Sequence, residues 1–200
     1  MRLASMLNEK YIIEDLKSST KEDAIDELLG LLRNDKPDIN TDEIKKSILE
    51  REEIENTSYG RGFSFPHART DEVDEMYILM GISRKGLADS TPDNVPLSVI
   101  ILLLTPSHIS NLYLQTLSAF ANFARIEGNL HKVTSTKHPS EVIEVIYNSG
   151  VSVEKELRVR DIMTRDVATV TPDDSLKHVA NMMFKNKLSA MAVIDNEGNL

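Results

Sequence analysis

Residues 96–106, PLSVIILLLTP, decide the fold of this 200-residue chain. The run from Val99 to Leu104 contains no polar side chain, so it does not suit a strand with one face in water. Strands with both faces covered are typical of sheets that carry helices on either side. The run is also far too short to cross a bilayer. It therefore predicts a buried central strand of an α/β sheet.

Amphipathic helices flank this strand in the sequence on both sides. Ser19 with Glu22 fits a capping box at the start of the first helix, and Asn40 or Thr41 is expected to cap the second. A further strand is predicted over residues 76–84, MYILMGISR, before the central one. Helices are predicted within the segments 18–35, 38–56, 108–125 and 138–150.

Composition limits the classes of function. The net charge of -9 and the pI near 5.1 disfavour nucleic acid and anionic membrane, so we expect neither a nucleic-acid partner nor direct membrane insertion. The absence of cysteine excludes disulfides and thiolate chemistry. The first residues contain no long apolar run of the kind a signal peptide needs, and a cytoplasmic protein is the simplest expectation.

The stretch 60–70, GRGFSFPHART, places one histidine in an unusual setting. Pro66 ends the short apolar alternation before it, because proline cannot donate to a strand ladder. His67 is therefore expected at the exposed end of a strand. An imidazole that is neutral near pH 7 is a good nucleophile, although a histidine at a strand end is, taken alone, more often an ordinary surface residue.

The character of the chain changes near residue 150. Residues 150–158 are polar and aperiodic, which predicts a linker between a domain over 1–149 and a smaller piece over 159–200. In that piece we predict a strand at Val167–Val170, a helix from Asp173 or Asp174 to about Asn186, and a strand at Ala190–Ile194. A β-α-β piece of this size is too small to be stable alone, so the chain is expected to be cut at its end.

Several separated motifs, in order, resemble the fructose/mannitol-type enzyme IIA domain of the bacterial sugar phosphotransferase system, including its nitrogen-related regulatory branch. They are KEDAIDELLGLL, Arg51-Glu52, ENTSYGRGFSFPHA and VPLSVIILLLTPSHISNLYLQTLSAFANFAR. The resemblance covers about residues 3–148 and implies a mixed central sheet with helices on both faces. Residues 159–200 are similar to the first two-thirds of a cystathionine-β-synthase (CBS) motif, a family that usually works as a pair of motifs sensing adenine nucleotides.

The enzyme IIA resemblance implies a phosphoryl relay. His67 would accept a phosphoryl group from the histidine phosphocarrier protein and pass it to a cysteine of enzyme IIB or use it as a signal to a regulated target protein. Arg51 would stabilise the phosphoryl group, and His108 would orient or stabilise it. In the loop before His67, Thr57 would add a hydroxyl donor. Gly60 and Gly62, which that loop also contains, allow the backbone to approach a phosphoryl group closely.

Two classes of function stay open at this point. One is a phosphotransferase component that acts through His67, favoured by the set of Arg51, His67 and His108. The other is a regulatory protein-binding module of the same fold with no onward transfer, favoured by the sensor-like tail. A zinc or nucleotide hydrolase ranks third, because the residues predict no metal site, no cofactor and no phosphate loop. An adenine nucleotide is expected as a partner only if the CBS region is completed.

Overall fold

The computed structural model describes residues 1–89, 91–108, 111–153, 159, 163–164, 166–195 and 197. The chain divides into two compact units, Met1–Leu157 and Arg158–Leu200. In the first unit, the short 3-10 helices Leu3–Met6 and Glu9–Tyr11 precede the regular elements. Its described strands are β1 Ile12–Ile13, β2 Ser58–Gly60, β3 Phe63–Ser64, β4 His67–Arg69, β5 Tyr77–Leu87 and β6 Leu97–Thr105. Its described helices are α1 Lys21–Asp35, α2 Thr41–Ile54, α3 Asn111–Arg125, α4 Asn129–Thr134 and α5 Pro139–Asn148.

The sheet is mixed, as the resemblance implied. Its strand order is β1-β5-β6-β3-β2, and β4 pairs with β6 further along the edge that β3 occupies. Strands β3 and β4 run parallel to β6, whereas β5 runs antiparallel to it. The predicted central strand is therefore confirmed, because β6 has neighbours on both sides along its length.

Both faces of β6 are covered, which explains its unbroken apolar run. Val99, Ile101 and Leu103 pack into a cluster with residues of α3, α4 and α5. The alternate residues Ile100, Leu102 and Leu104 pack into a second cluster with residues of α1 and α2. Side chains of a strand alternate between its faces, so an apolar residue is needed at each position.

Helix α1 starts one residue later than predicted. Its N-cap is Thr20, whose side chain accepts a hydrogen bond from the backbone N–H of Asp23. The expected capping box of Ser19 with Glu22 is therefore wrong, and the adjacent threonine performs the capping. The prediction for α2 is confirmed at Asn40, which accepts from the N–H of residue 43.

The turn between β2 and β3 requires its glycines. Gly60, Arg61 and Gly62 have φ values of 92°, 55° and 79°, a left-handed region that glycine adopts at low cost. The Asp93 carboxylate accepts a 2.5 Å hydrogen bond from the Arg61 N–H. A Cβ on residue 62 would lie 2.7 Å from the Cδ2 atom of Leu130 and 3.3 Å from the Pro96 carbonyl oxygen, so the Leu130 side chain would have to shift to admit it.

We expect Gly62→Ala to lower the free energy of unfolding by about 1–3 kcal/mol, because the new methyl group is crowded and the positive φ is strained. Gly30→Ala is the matched control: it lies within α1 with nothing within 4 Å of its Cβ position, and should stabilise by up to about 1 kcal/mol. Urea unfolding followed by tyrosine fluorescence reports on the first unit, since all five tyrosines precede residue 150. Equal unfolding midpoints for the two variants would contradict the prediction.

The second unit contains the expected β-α-β piece with shorter elements. Its described elements are β7 Thr169–Val170, α6 Leu176–Lys185 and β8 Ala192–Val193, with β7 parallel to β8. Helix α6 begins at Leu176 after its N-cap Ser175, which accepts from the N–H of residue 178, and so starts later than the predicted Asp173 or Asp174.

The predicted linker over 150–158 is only partly within the described residues. Within it, residues 151–153 pair with the start of the chain. The Leu3 N–H donates to the Val151 carbonyl at 3.1 Å, and the Val153 N–H donates to the Met1 carbonyl at 2.7 Å. Residues 154–158 lie outside the described part.

Candidate functional site

His67 is the first residue of β4 and follows Pro66 directly. It pairs in register with Leu103 of β6, whose N–H donates to the Pro66 carbonyl at 2.9 Å. The next residue, Ala68, packs into the α1–α2 cluster. Because neighbouring side chains of a strand point to opposite faces, His67 faces the α3 side of the sheet, where it is half-buried.

A backbone carbonyl selects the tautomer of the His67 ring. Its Nδ1 atom lies 3.0 Å from the carbonyl oxygen of Phe65. A carbonyl can only accept a hydrogen bond, so Nδ1 carries the proton in the neutral ring. The lone pair of the neutral imidazole is therefore on Nε2, which is the nucleophilic nitrogen.

Burial holds the pKa of His67 below its usual value. The positive charge of Arg51 acts in the same direction, while the hydrogen bond to Phe65 and the carboxylate of Glu52 oppose it. The imidazole is thus neutral at pH 7, the form in which it acts as a nucleophile.

Arg51 lies in the last turn of α2, and its charge acts on the site. Its Nη1 donates to the Glu55 carbonyl at 3.2 Å, and its Nη2 lies 3.7 Å from the exposed Glu55 carboxylate. Such a surface pair holds a guanidinium weakly. The same charge also lowers the pKa of Tyr113, against the larger effect of burial, which raises it.

The aromatic neighbour of His67 is Tyr113, in the first turn of α3, with ring centroids 5.1 Å apart. His108 was expected at the start of the helix after β6. It lies instead in the turn after β6 and is exposed, since α3 begins at 111. Among the described residues, the hydrogen bonds and ring contacts do not join His108 to His67. Arg69 donates to the Ser107 carbonyl at 2.6 Å and so ties the turn that carries His108 to strand β4.

Thr57 contacts a carboxylate. Its hydroxyl donates to Glu52 Oε1, and its backbone N–H donates to Glu52 Oε2 at 3.3 Å. The same hydroxyl lies 3.3 Å from the Ser64 hydroxyl. In this arrangement the Thr57 side chain positions the loop, and its expected role as a donor to a phosphoryl group stays a prediction.

A comparison with protein families matches two parts of the chain. Residues 5–149 match the family described as "Phosphoenolpyruvate-dependent sugar phosphotransferase system, EIIA 2". The chain belongs to this family. Residues 159–200 match the CBS domain. Both resemblances drawn from the sequence are thereby confirmed.

Relatives of this enzyme IIA chain include a fructose-specific EIIABC component of the phosphotransferase system from Bacillus subtilis, 25% identical over 146 residues. The match covers 73% of this chain but 23% of that relative. The fold is shared with the nitrogen regulatory protein IIA-Ntr of Neisseria meningitidis, at a TM-score of 0.66 and 22% identity, over 72% of this chain and 98% of that one. It is also shared with a solved complex of enzyme IIAMtl and phosphorylated enzyme IIBMtl from Escherichia coli, at a TM-score of 0.61 and 19% identity, over 71% of this chain and 97% of the matched one.

The glycines of the enzyme IIA loop lie away from the imidazole. Gly60 and Gly62 belong to the turn before β3, and Phe63, which follows it, is four residues from His67. Four residues of extended chain span on the order of 13 Å. The nearest atoms to their Cβ positions belong to Asp93 and Leu130 respectively. These contacts explain the glycines by the turn itself, and their expected role in the approach of a phosphoryl group stays a prediction.

Two side chains that contact His67 or the partners of its loop were not predicted from the sequence. Tyr113 gives no local signal beyond its place in the first turn of the helix after the central strand. Lys21 is buried against Glu52 at 2.6 Å, although lysine in the first turn of an amphipathic helix usually faces solvent.

Within the described residues, no helix is long and apolar enough to span a bilayer.

Proposed function

We propose that this chain is a phosphohistidine carrier of the phosphoenolpyruvate-dependent sugar phosphotransferase system, with His67 as its phosphoryl acceptor. The observation that carries the proposal is the hydrogen bond of Nδ1 to the Phe65 carbonyl. It leaves Nε2 of a neutral, half-buried imidazole as the nucleophile, beside the positive charge of Arg51. Membership of the enzyme IIA family supports the same reaction class.

In the acceptance step, the Nε2 lone pair of His67 attacks the phosphorus of the phosphohistidine on the histidine phosphocarrier. The new N–P bond forms as the donor N–P bond breaks, and the electron pair returns to the donor imidazole. The Nδ1 proton stays in place and its hydrogen bond to Phe65 stabilises the positive charge that the ring acquires. Arg51 stabilises the oxygens of the transferring group, since such transfer depends on positioning and on charge.

The phosphoryl group then leaves His67 for a second protein. A cysteine thiolate of an enzyme IIB is the acceptor that we propose, in line with the solved complex of enzyme IIAMtl and phosphorylated enzyme IIBMtl. The 200 residues contain no cysteine, so the thiolate that we propose lies outside them. His108, in the turn next to α3, is proposed to contact the phosphoryl group during one of these two transfers.

Label transfer tests the proposal. The chain is incubated with radiolabelled phosphoenolpyruvate and the two general proteins of the relay, and the label is then challenged with mild acid and with base. A phosphoramidate on imidazole is labile to acid and stable to base, whereas a serine or threonine ester withstands the acid. An acid-labile label is expected, and no label at all would instead favour a regulatory binding module without transfer.

The depressed pKa of His67 predicts the pH dependence of acceptance. Only the neutral ring attacks, and a ring with a lowered pKa stays neutral to lower pH than a free histidine, whose pKa is about 6.5. The rate should therefore be nearly constant from pH 8 to about 6.5 and fall only below that value. Single-turnover transfer from a pre-phosphorylated carrier measures it. A midpoint above that of free histidine would contradict the prediction.

A further inference from the structure

The ammonium group of Lys21 is buried in a cluster of polar side chains that includes the end of α2 and residues of the loop that precedes His67. The side chain is 8% exposed. It lies 2.6 Å from Glu52, 2.9 Å from Asn56 and 3.3 Å from the Ser58 hydroxyl, while Asp89 lies at 3.7 Å. Three hydrogen bonds account for the three donors of an ammonium group. A buried charge is tolerated only when it is paired in this way, so the cluster has a defined geometry.

Glu52 connects this cluster to the loop. Its carboxylate is 14% exposed and accepts from Lys21 through Oε2. The same carboxylate accepts from both the hydroxyl and the N–H of Thr57. Lys21 therefore fixes the Glu52 carboxylate, which in turn holds Thr57 through two hydrogen bonds.

The backbone continues the connection to the imidazole. The Thr57 carbonyl accepts from the Phe65 N–H at 3.1 Å. The Phe65 carbonyl, in turn, is the group 3.0 Å from Nδ1 of His67. An uninterrupted set of hydrogen bonds thus runs from the Lys21 ammonium to the nitrogen that decides the tautomer.

We propose that Lys21 is a positioning residue for His67, acting through Glu52, Thr57 and the Phe65 backbone to hold Nε2 in the attacking orientation. The proposal deepens the proposed function and rests on it for its kinetic consequence. Lys21 has a second effect through charge. The Glu52 carboxylate acts electrostatically on His67, and a paired lysine reduces its repulsion of an incoming phosphoryl dianion.

The test compares Lys21→Met with Lys10→Met. Lys10 also forms a short ion pair, 2.8 Å from Asp35, but it is half exposed, and the hydrogen bonds of the described residues do not connect it to His67. Two readouts are taken: single-turnover transfer, and the imidazole nitrogen chemical shifts of unphosphorylated His67. Lys21→Met should transfer the phosphoryl group about 100-fold more slowly, since small displacements of reacting groups carry losses of that size. It should also show a mixture of His67 tautomers. Lys10→Met should match the wild type in both.

A folded Lys21→Met with wild-type rate and tautomer would overturn the proposal. Slower transfer with an unchanged tautomer would overturn the positioning role, because the loss would then arise from the charge of Lys21 and not from the position of His67. If Lys21→Met does not fold, Lys21→Met/Glu52→Gln is measured in its place. It removes the Glu52 charge together with that of Lys21, while Asp89 keeps its hydrogen bonds from Asn56 and Ser58. The same slow transfer and mixed tautomers are expected. If the wild-type chain takes no label, the proposed function fails, yet the tautomer measurement still decides the role of Lys21.

Discussion

His67→Ala is expected to lose phosphoryl acceptance completely, to the background of the assay and by at least about 10⁴-fold. Among the described histidines, His67 is the only one whose Nδ1 is held by the Phe65 carbonyl. Its Nε2 is therefore left as the nucleophile, and the substitution removes it. The fold should persist, because His67 is half-buried at the start of a three-residue strand and its backbone pairing with β6 does not need the side chain. Intact mass before and after incubation with phosphoenolpyruvate and the general relay proteins measures the result.

His131→Ala is the matched control for this experiment. His131 is an exposed histidine of α4, outside the contacts that define the site, so its replacement should leave the label unchanged. Mild acid should remove the label from both the wild type and this control. An acid-stable label, or a full label on His67→Ala, would refute the assignment of His67 as the acceptor.

Local patterns predicted the elements that a single stretch of chain determines. The unbroken apolar run of β6 predicted a strand covered on both faces, because no other strand environment accepts apolar residues at successive positions. The helix starts were predicted less well: α1 is capped by Thr20 and not by Ser19, and α6 begins two or three residues after the predicted Asp173 or Asp174. Neighbouring residues with similar capping propensity compete, and tertiary packing decides between them.

The surroundings of His67 depend on contacts between distant parts of the sequence. Lys21 and Glu52 are 31 positions apart, and the Tyr113 ring reaches His67 from the helix after β6. Pattern reasoning identifies an amphipathic helix but does not identify which polar residue on its border is buried, because that depends on what packs against it. Thr57 illustrates the same limit, since its hydroxyl has a carboxylate partner that the loop motif did not reveal.

Arg51→Ala should slow phosphoryl transfer by about 100-fold to 1000-fold while leaving His67 able to accept the group. The guanidinium charge acts on both His67 and Tyr113, so it lies near the ring that we propose as the phosphoryl acceptor. Its pairing with the exposed Glu55 is weak, and the free energy of unfolding should change by less than about 1 kcal/mol. His108→Ala tests the second helper in the same assay and is also expected to be folded and slower. Rapid quench of single turnovers measures both rates.

The pKa of His67 separates a direct role of Arg51 from a structural one. Arg51 favours the neutral ring, so its removal should raise the pKa of His67 toward the usual value for histidine. Arg33→Ala is the control, because Arg33 is a partly exposed arginine that pairs with Asp42 at 3.3 Å at the junction of α1 and α2. It should change neither the transfer rate nor the pKa, which titration of the imidazole by NMR measures. If Arg51→Ala left both quantities unchanged, Arg51 would be an ordinary surface residue, and stabilisation of the phosphoryl group would have to come from other donors around His67.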